Sequence, residues 1–239
     1  MRRLEDGSVE IEDGFGTIRV SGDEHHSELL IELAPWVRQG WCDGSAGRMA
    51  VRVPKSWHRR PGLDRWMTAE ELYRVRGWLA EPTGPQDVLA GTRPLLQLLE
   101  SGKYRVDMRE LDSLLLAPRE EIAPGLACVG GYTRPKHETA HGYRIPVVKV
   151  VHLDGERQWW YCFDTDIELV PTDCWPAPDR NAVRGYRKAI RDGARPALVL
   201  LRPVGGGPAY MPDGHHKLTA YLEELVPPTV VDIERLAEG

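Results

Sequence analysis

Residues 196–217 read PALVLLRPVGGGPAYMPDGHHK, and the fold of the C-terminal part turns on them. Pro196 to Arg202 is a nearly continuous apolar run of strand length, the pattern of a strand buried on both faces. Gly205-Gly206-Gly207 makes a turn, and Pro208 to Met211 reads as a short returning strand. Asp213-Gly214 is a tight turn. A helix opens at about His215, with Leu218, Tyr221, Leu222 and Leu225 on one face. Pro227-Pro228 breaks that helix, and Thr229 to Ile233 supplies a last strand.

Upstream of this stretch, Asp166 to Val170 reads as a strand and Pro176 to Asp179 as a loop, with Asp179 placed to cap the next helix. Val183, Tyr186 and Ile190 then recur at helical spacing, and Gly193 marks the stop. From 164 to 236 the order is therefore strand, helix, strand, turn, strand, Asp-Gly-His-His-Lys, helix, strand.

The first ~65 residues read as β-rich, with strand-like runs at Thr17–Val20, Leu29–Leu33 and Met49–Val53. Thr68 with Glu71 three residues on is a capping box, and Leu72, Val75 and Leu79 follow at helical spacing beside Trp78. Pro82-Thr83-Gly84-Pro85 is the best linker candidate. Between 86 and 163 the reading places a short helix at Leu95–Leu99, a second at Arg109–Leu116, and a hairpin from Ile145 to Phe163 around Asp154-Gly155. The fold class is α+β or α/β. A β-rich domain with one C-terminal helix spans 1–82, a connecting region 86–163, and a mixed α/β domain 164–239.

Bulk numbers narrow the function classes. The chain has 239 residues, 41% apolar and 28% charged, the balance of a soluble globular protein. A net charge of −5 provides no global basic field for nucleic acid or an anionic membrane. No stretch approaches the roughly 20 apolar residues of a membrane span. Met1-Arg2-Arg3-Leu4-Glu5-Asp6 turns acidic at once and has no apolar export core. Cys42, Cys128, Cys162 and Cys174 are scattered, which suits reduced thiols in the cytoplasm better than a zinc site.

With its Asp213-Gly214-His215-His216-Lys217 turn in this strand–helix context, the segment 164–236 resembles the ParB/sulfiredoxin superfamily. The match is to the free-serine kinases there, which carry Asp-Gly-His-His-Arg. Sulfiredoxins place a catalytic Cys where this chain has His215, so sulfiredoxin chemistry is not expected. The final basic residue is Lys217 rather than Arg, which keeps the charge and loses the bidentate fork. One helix near the N-terminus, Trp66-Met67-Thr68 through Glu71-Leu72 to Trp78-Leu79, resembles that of small bacterial immunity proteins of the WapI kind. A capped amphipathic helix on a sheet explains the same residues.

The residues at the turn suit such a site on physical grounds too. A helix N-terminus offers unpaired N–H groups and a positive dipole end to phosphate. Gly214 lets the backbone approach closely, and His215, His216 and Lys217 add donors. Asp213 would repel a bare phosphate, so its roles are ligand to phosphate-bound Mg²⁺ or base toward an acceptor hydroxyl, with His216 as catalytic partner. The structural alternative makes Asp213 an N-cap and the histidines surface residues. Arg184, Arg187, Lys188 and Arg191 share the preceding helix, and that run reads as a solvated face. The resemblance would bring Lys188 or Arg184 to the nucleotide, and Asp179 into an acidic role.

His137-Glu138-Thr139-Ala140-His141 matches the zincin pattern by letter, but Pro135, Gly142 and Pro146 leave no room for the long helix that pattern needs. It reads as a polar loop. With Gly130-Gly131, Arg134 and Lys136 it is a candidate to reach the Asp213 site. His25-His26 reads as an exposed pair.

The leading expectation is a nucleotide-dependent phosphotransferase or nucleotide hydrolase acting on a small molecule, using ATP, ADP or another nucleotide with Mg²⁺. The alternative is a non-catalytic binding protein, immunity- or toxin-associated, that keeps the ParB-like fold and meets a protein partner through its N-terminal domain. A ParB-like nuclease ranks third, disfavoured by the acidic balance. No membrane partner is expected.

Overall fold

The computed structural model describes residues 1–22, 26–33, 36–43, 48–54, 67–111, 151–153, 156–162, 169–171, 179–205 and 209–237. The chain mixes α and β structure. Its strands begin with β1 (Arg2–Arg3), β2 (Val9–Ile11), β3 (Ile18–Gly22), β4 (His26–Leu33), β5 (Trp36–Asp43) and β6 (Arg48–Pro54). Two helices follow, α1 (Ala69–Ala80) and α2 (Val88–Leu96), then strands β7 (Gly102–Glu110), β8 (Val151–Leu153), β9 (Glu156–Cys162) and β10 (Leu169–Pro171). The remainder is α3 (Arg180–Arg191), β11 (Leu198–Arg202), β12 (Ala209–Asp213), α4 (His215–Glu224) and β13 (Thr229–Arg235).

Two sheets result. One has six antiparallel strands in the order β3-β4-β5-β6-β9-β8. The other is mixed, with the order β1-β2-β7-β13-β11-β12-β10. In it β11 runs parallel to β13 and β10 parallel to β12, while β7 pairs antiparallel with both β2 and β13.

Period-two alternation sends the two faces of the mixed sheet to different cores. Val199, Leu201, Tyr210, Val231, Ile233, Tyr104 and Val106 share one buried cluster with Val75 and Leu79 of α1, Val88 and Leu96 of α2, and Ile18, Val20 and Leu29 of the other sheet. Leu198, Leu200, Ala209, Met211 and Val230 face the opposite way, onto Leu218 and Leu222 of α4. Helix α3 lies outside α4, with Val183 and Ile190 packed on Ala220 and Tyr221. The strand β11 is therefore buried on both faces, as its unbroken apolar run requires.

Local signals account for the helix ends. The Thr68 hydroxyl accepts from Glu71 N at 3.2 Å and the Glu71 carboxylate accepts from Thr68 N at 2.8 Å, the reciprocal capping box at the start of α1. Asp179 caps α3 by accepting from Asn181 N and Ala182 N. Gly193 ends it in a left-handed turn (φ +97°), with Gly193 N donating to Ile190 O and Ala194 N to Ala189 O. Helix α4 closes through the same pair of bonds, Leu225 N to Leu222 O and Val226 N to Tyr221 O, but with Leu225 in the left-handed position (φ +57°).

Two sequence expectations are corrected. Arg109 does not open a helix. Residues 102–110 form β7, because Tyr104, Val106 and Met108 alternate with Lys103, Arg105, Asp107 and Arg109, and the apolar set faces the core. The helix expected at Leu95–Leu99 lies earlier, at Val88–Leu96, with Pro94 tolerated inside it. The His137–His141 pentapeptide, the Gly130–Lys136 loop, the Asp154-Gly155 turn and His25 lie outside the described residues. Among the described residues no helix is long and apolar enough to cross a membrane.

Candidate functional site

Asp213 is the last residue of β12, and Gly214 turns the chain directly into α4. Gly214 takes φ +118°, a conformation that side chains avoid. A Cβ there would also lie 2.6 Å from the Leu198 side chain and 3.1 Å from its Cα. The glycine therefore lets the first turn of α4 rest directly on β11. Close approach was expected at this position, and the partner observed is a strand of the same chain.

The N-cap of α4 is Gly214, which makes no side-chain cap bond. Asp213 does not fold back on the helix as an N-cap. Its Oδ2 instead accepts from Lys217 Nζ at 2.8 Å, one turn into α4. The Lys217 side chain is buried, and the same Nζ donates to Ala197 O at 2.8 Å. The Asp213 side chain is 56% exposed, so the buried ammonium holds a carboxylate that opens to solvent. Desolvation pushes the Asp213 carboxyl upward, but the Lys217 charge and hydrogen bond, with smaller help from His215 and Arg76, outweigh it and hold the group below the ordinary Asp value. Asp213 is ionised at neutral pH.

The two histidines differ. His215 is buried, and its carbonyl accepts from Thr219 Oγ1 at 2.9 Å. His216 is partly exposed, yet its Nε2 is buried and has no hydrogen-bond partner among the described residues. Its ring lies near enough to Asp179 to act on it electrostatically. Asp179 itself is held below its ordinary pKa, first by the backbone N–H groups of Ala182 and Asn181. Its carboxylate serves α3 as a cap.

The basic stripe of α3 is largely neutralised by α4. Arg180 and Arg187 pair with Glu223, Arg187 and Arg191 with Glu224, and Lys188 with Asp192. Arg184 bonds to Asn181. Lys188 lies about 13 Å along the helix axis from Asp179. It lines a hollow of about 580 Å³ with Glu81, Pro82, Gly185, Asp192 and Arg195, and none of residues 213–217 lines it. The structure thus gathers Asp213, Gly214, His215, His216 and Lys217 at one helix start, while Lys188 pairs with Asp192 and lines the hollow.

Sequence reasoning gave no sign that the Arg76 charge acts on Asp213. Arg76 sits on α1, in no motif and far from the Asp213 turn in the chain, so only the tertiary packing reveals it. A protein-held Mg²⁺ fits poorly here. Asp213 is a lone carboxylate with one oxygen on an ammonium, and among the described residues no three or more His, Cys, Asp or Glu side chains come together as metal ligands. No family profile, curated protein or solved structure matches the chain.

Proposed function

We propose that the chain is a nucleotide-dependent phosphotransferase or nucleotide hydrolase acting on a small molecule, built on a ParB/sulfiredoxin-like unit over 164–236. One observation carries this reading: an ionised, half-exposed Asp213 stands directly before a helix N-terminus whose N-cap, Gly214, brings no side-chain cap. The N–H groups of the first turn and the dipole of α4 suit a phosphate. The carboxylate suits the hydroxyl or water that would attack it. Asp213 is a weak base because Lys217 stabilises its charge. Its role is then to accept the nucleophile's hydrogen bond and orient its oxygen toward phosphorus, taking the proton as the new P–O bond forms and the bond to the nucleotide leaving group breaks. His216 has a buried ring nitrogen with no partner among the described residues. Mg²⁺ enters this reading only as the ion that a nucleotide carries on its phosphates.

A second reading is a binding protein without catalysis, and the burial of Lys217 favours it. The one motif cation expected to hold phosphate is engaged inside the fold by Asp213 and Ala197 O. The neutralised stripe on α3 supports neither a nuclease nor a nucleic-acid surface.

A thermal-shift screen with ATP, ADP, CTP and GTP plus Mg²⁺ tests nucleotide recognition. A ligand at 100 times its dissociation constant adds about 2.7 kcal/mol, a readily visible rise. No shift with any nucleotide would remove the phosphotransfer reading. A shift without turnover would select the second one.

A further inference from the structure

The outer face of α1 carries features that its own fold does not use. Tyr73 is 80% exposed, the most exposed large apolar side chain among the described residues. A single exposed ring is ordinary, but one turn further on lies Gly77. It sits inside the helix in the ordinary helical conformation, where glycine costs about 1 kcal/mol against alanine. Among the described residues no atom lies within 4 Å of the place a Cβ would take, so nothing there requires a glycine. After a further turn comes Glu81, the C-cap of α1, exposed and without an ion pair among the described residues. With Pro82 it lines the 580 Å³ hollow, together with Ala189, Lys188 and Arg195. Positions 73, 77 and 81 recur every fourth residue and form one ridge about 12 Å long. The ridge has a knob at one end, no side chain at its middle and a hole at the other end.

We propose that this ridge is the interface between two copies of the chain, crossing at Gly77 on a two-fold axis, with Tyr73 of each copy seated in the hollow of the other. A two-fold contact is self-complementary: what lies a given distance before the axis meets what lies the same distance after it. With the axis at Gly77, four residues before it is Tyr73, and four residues after it is Glu81, which lines the hollow. The two glycines let the helix backbones close up where they cross. The Tyr73 ring then meets Pro82 and Ala189, and the cations of Lys188 and Arg195 suit its negative face. The charges agree with this register. Arg74 stands opposite position 80 and so beside Glu81 of the second copy. Within its own chain Arg74 is held only loosely, 3.9 Å from Glu70, with its side chain 64% exposed. An unrelated partner would need no such symmetry of knob, gap and hole about one glycine.

The test is sedimentation velocity on the full chain from low to high micromolar concentration, with circular dichroism to confirm the fold of each variant. Wild type is expected to dimerise. Tyr73→Ala and Gly77→Gln are expected to weaken association about tenfold or more. Gln at position 77 improves helix propensity, so a loss there reads the crossing and not the helix. Arg74→Glu and Glu81→Arg should each weaken the dimer, because each sets like charges side by side. The double variant Arg74→Glu/Glu81→Arg should restore it, since the exchanged charges meet again across the axis. A wild type that stays monomeric throughout overturns the proposal and leaves the face to some other partner. A dimer that Tyr73→Ala and Gly77→Gln leave unchanged overturns it too, because the contact then lies elsewhere. Single charge reversals that the double variant does not rescue would refute the two-fold register.

Discussion

Lys217 Nζ lies 2.8 Å from Asp213 Oδ2, but the two side chains live in different surroundings: the lysine is 7% exposed and the aspartate 56%. The charge that has lost its water is the lysine's. Lys217→Ala would strip Ala197 O and Asp213 of their donor at once and open a void between α4 and β11. Leaving the buried Ala197 O without its donor costs about 1–3 kcal/mol, and the void adds to that, while Asp213 can turn to water. Asp213→Asn removes the counter-charge of the buried ammonium but keeps an oxygen for Lys217 and opens no void, so it should cost less. Urea denaturation of both variants checks the order. An Asp213→Asn loss equal to that of Lys217→Ala would show that the exposed carboxylate, rather than the buried ammonium, anchors the turn.

Gly214→Ala is expected to lose about 2 kcal/mol or more, since it combines a left-handed backbone with a contact of 2.6 Å against Leu198. Gly91→Ala should lose a similar amount for a different reason. A Cβ there would lie 2.2 Å from the Trp78 ring, on which α2 rests flat. Gly77→Ala is the control, since nothing lies within 4 Å of its Cβ position, and helix propensity makes it neutral or stabilising. Melting temperatures of the three variants decide the matter.

Helices α3 and α4 end in the same pair of hydrogen bonds, one around Gly193 and the other around Leu225. A side chain in the left-handed region costs about 1–2 kcal/mol. Leu225→Gly is therefore expected to stabilise the protein, by about 1 kcal/mol after the added backbone entropy of the unfolded chain. Gly193→Ala should destabilise it by about the same amount. A fall in stability for Leu225→Gly would mean that the half-exposed leucine contributes more by packing than its backbone costs.

Glu224 binds the tip of α4 to α3 through Arg191 and Arg187, whose hydrogen bonds lower its pKa to about 2. The pKa is depressed in the folded state, so this contribution is fully present above the unfolded-chain value near 4.5 and is lost as pH falls toward 2. Glu224→Gln should lower the melting temperature at pH 7, and the difference from wild type should shrink between pH 4.5 and 2. A gap that stays constant over that range would show that packing, rather than charge, makes the contact.

Much of the C-terminal half was legible because its signals are local. Pro227-Pro228, Gly193, Asp179 and the apolar run of β11 each act within a few residues. The strand β7 was harder, because its charged residues also suit a helix and its partners β2 and β13 lie far away in sequence. The alternation of Tyr104, Val106 and Met108 was the available signal. At the candidate site, the residue types were readable and their use was not. Nothing in Asp-Gly-His-His-Lys tells that Lys217 turns inward to Ala197 O.

The central claim is that Asp213 orients a nucleophile toward a nucleotide phosphate at the start of α4. The most direct measurement is phosphate release, or transfer to small hydroxylated acceptors, from ATP and other nucleotides, for wild type and Asp213→Asn with melting temperatures recorded in parallel. The account predicts turnover by wild type and a loss of about 10²- to 10⁴-fold in a variant that remains folded. Turnover that survives Asp213→Asn unchanged, or a wild-type protein that neither binds nor turns over any nucleotide, would contradict it.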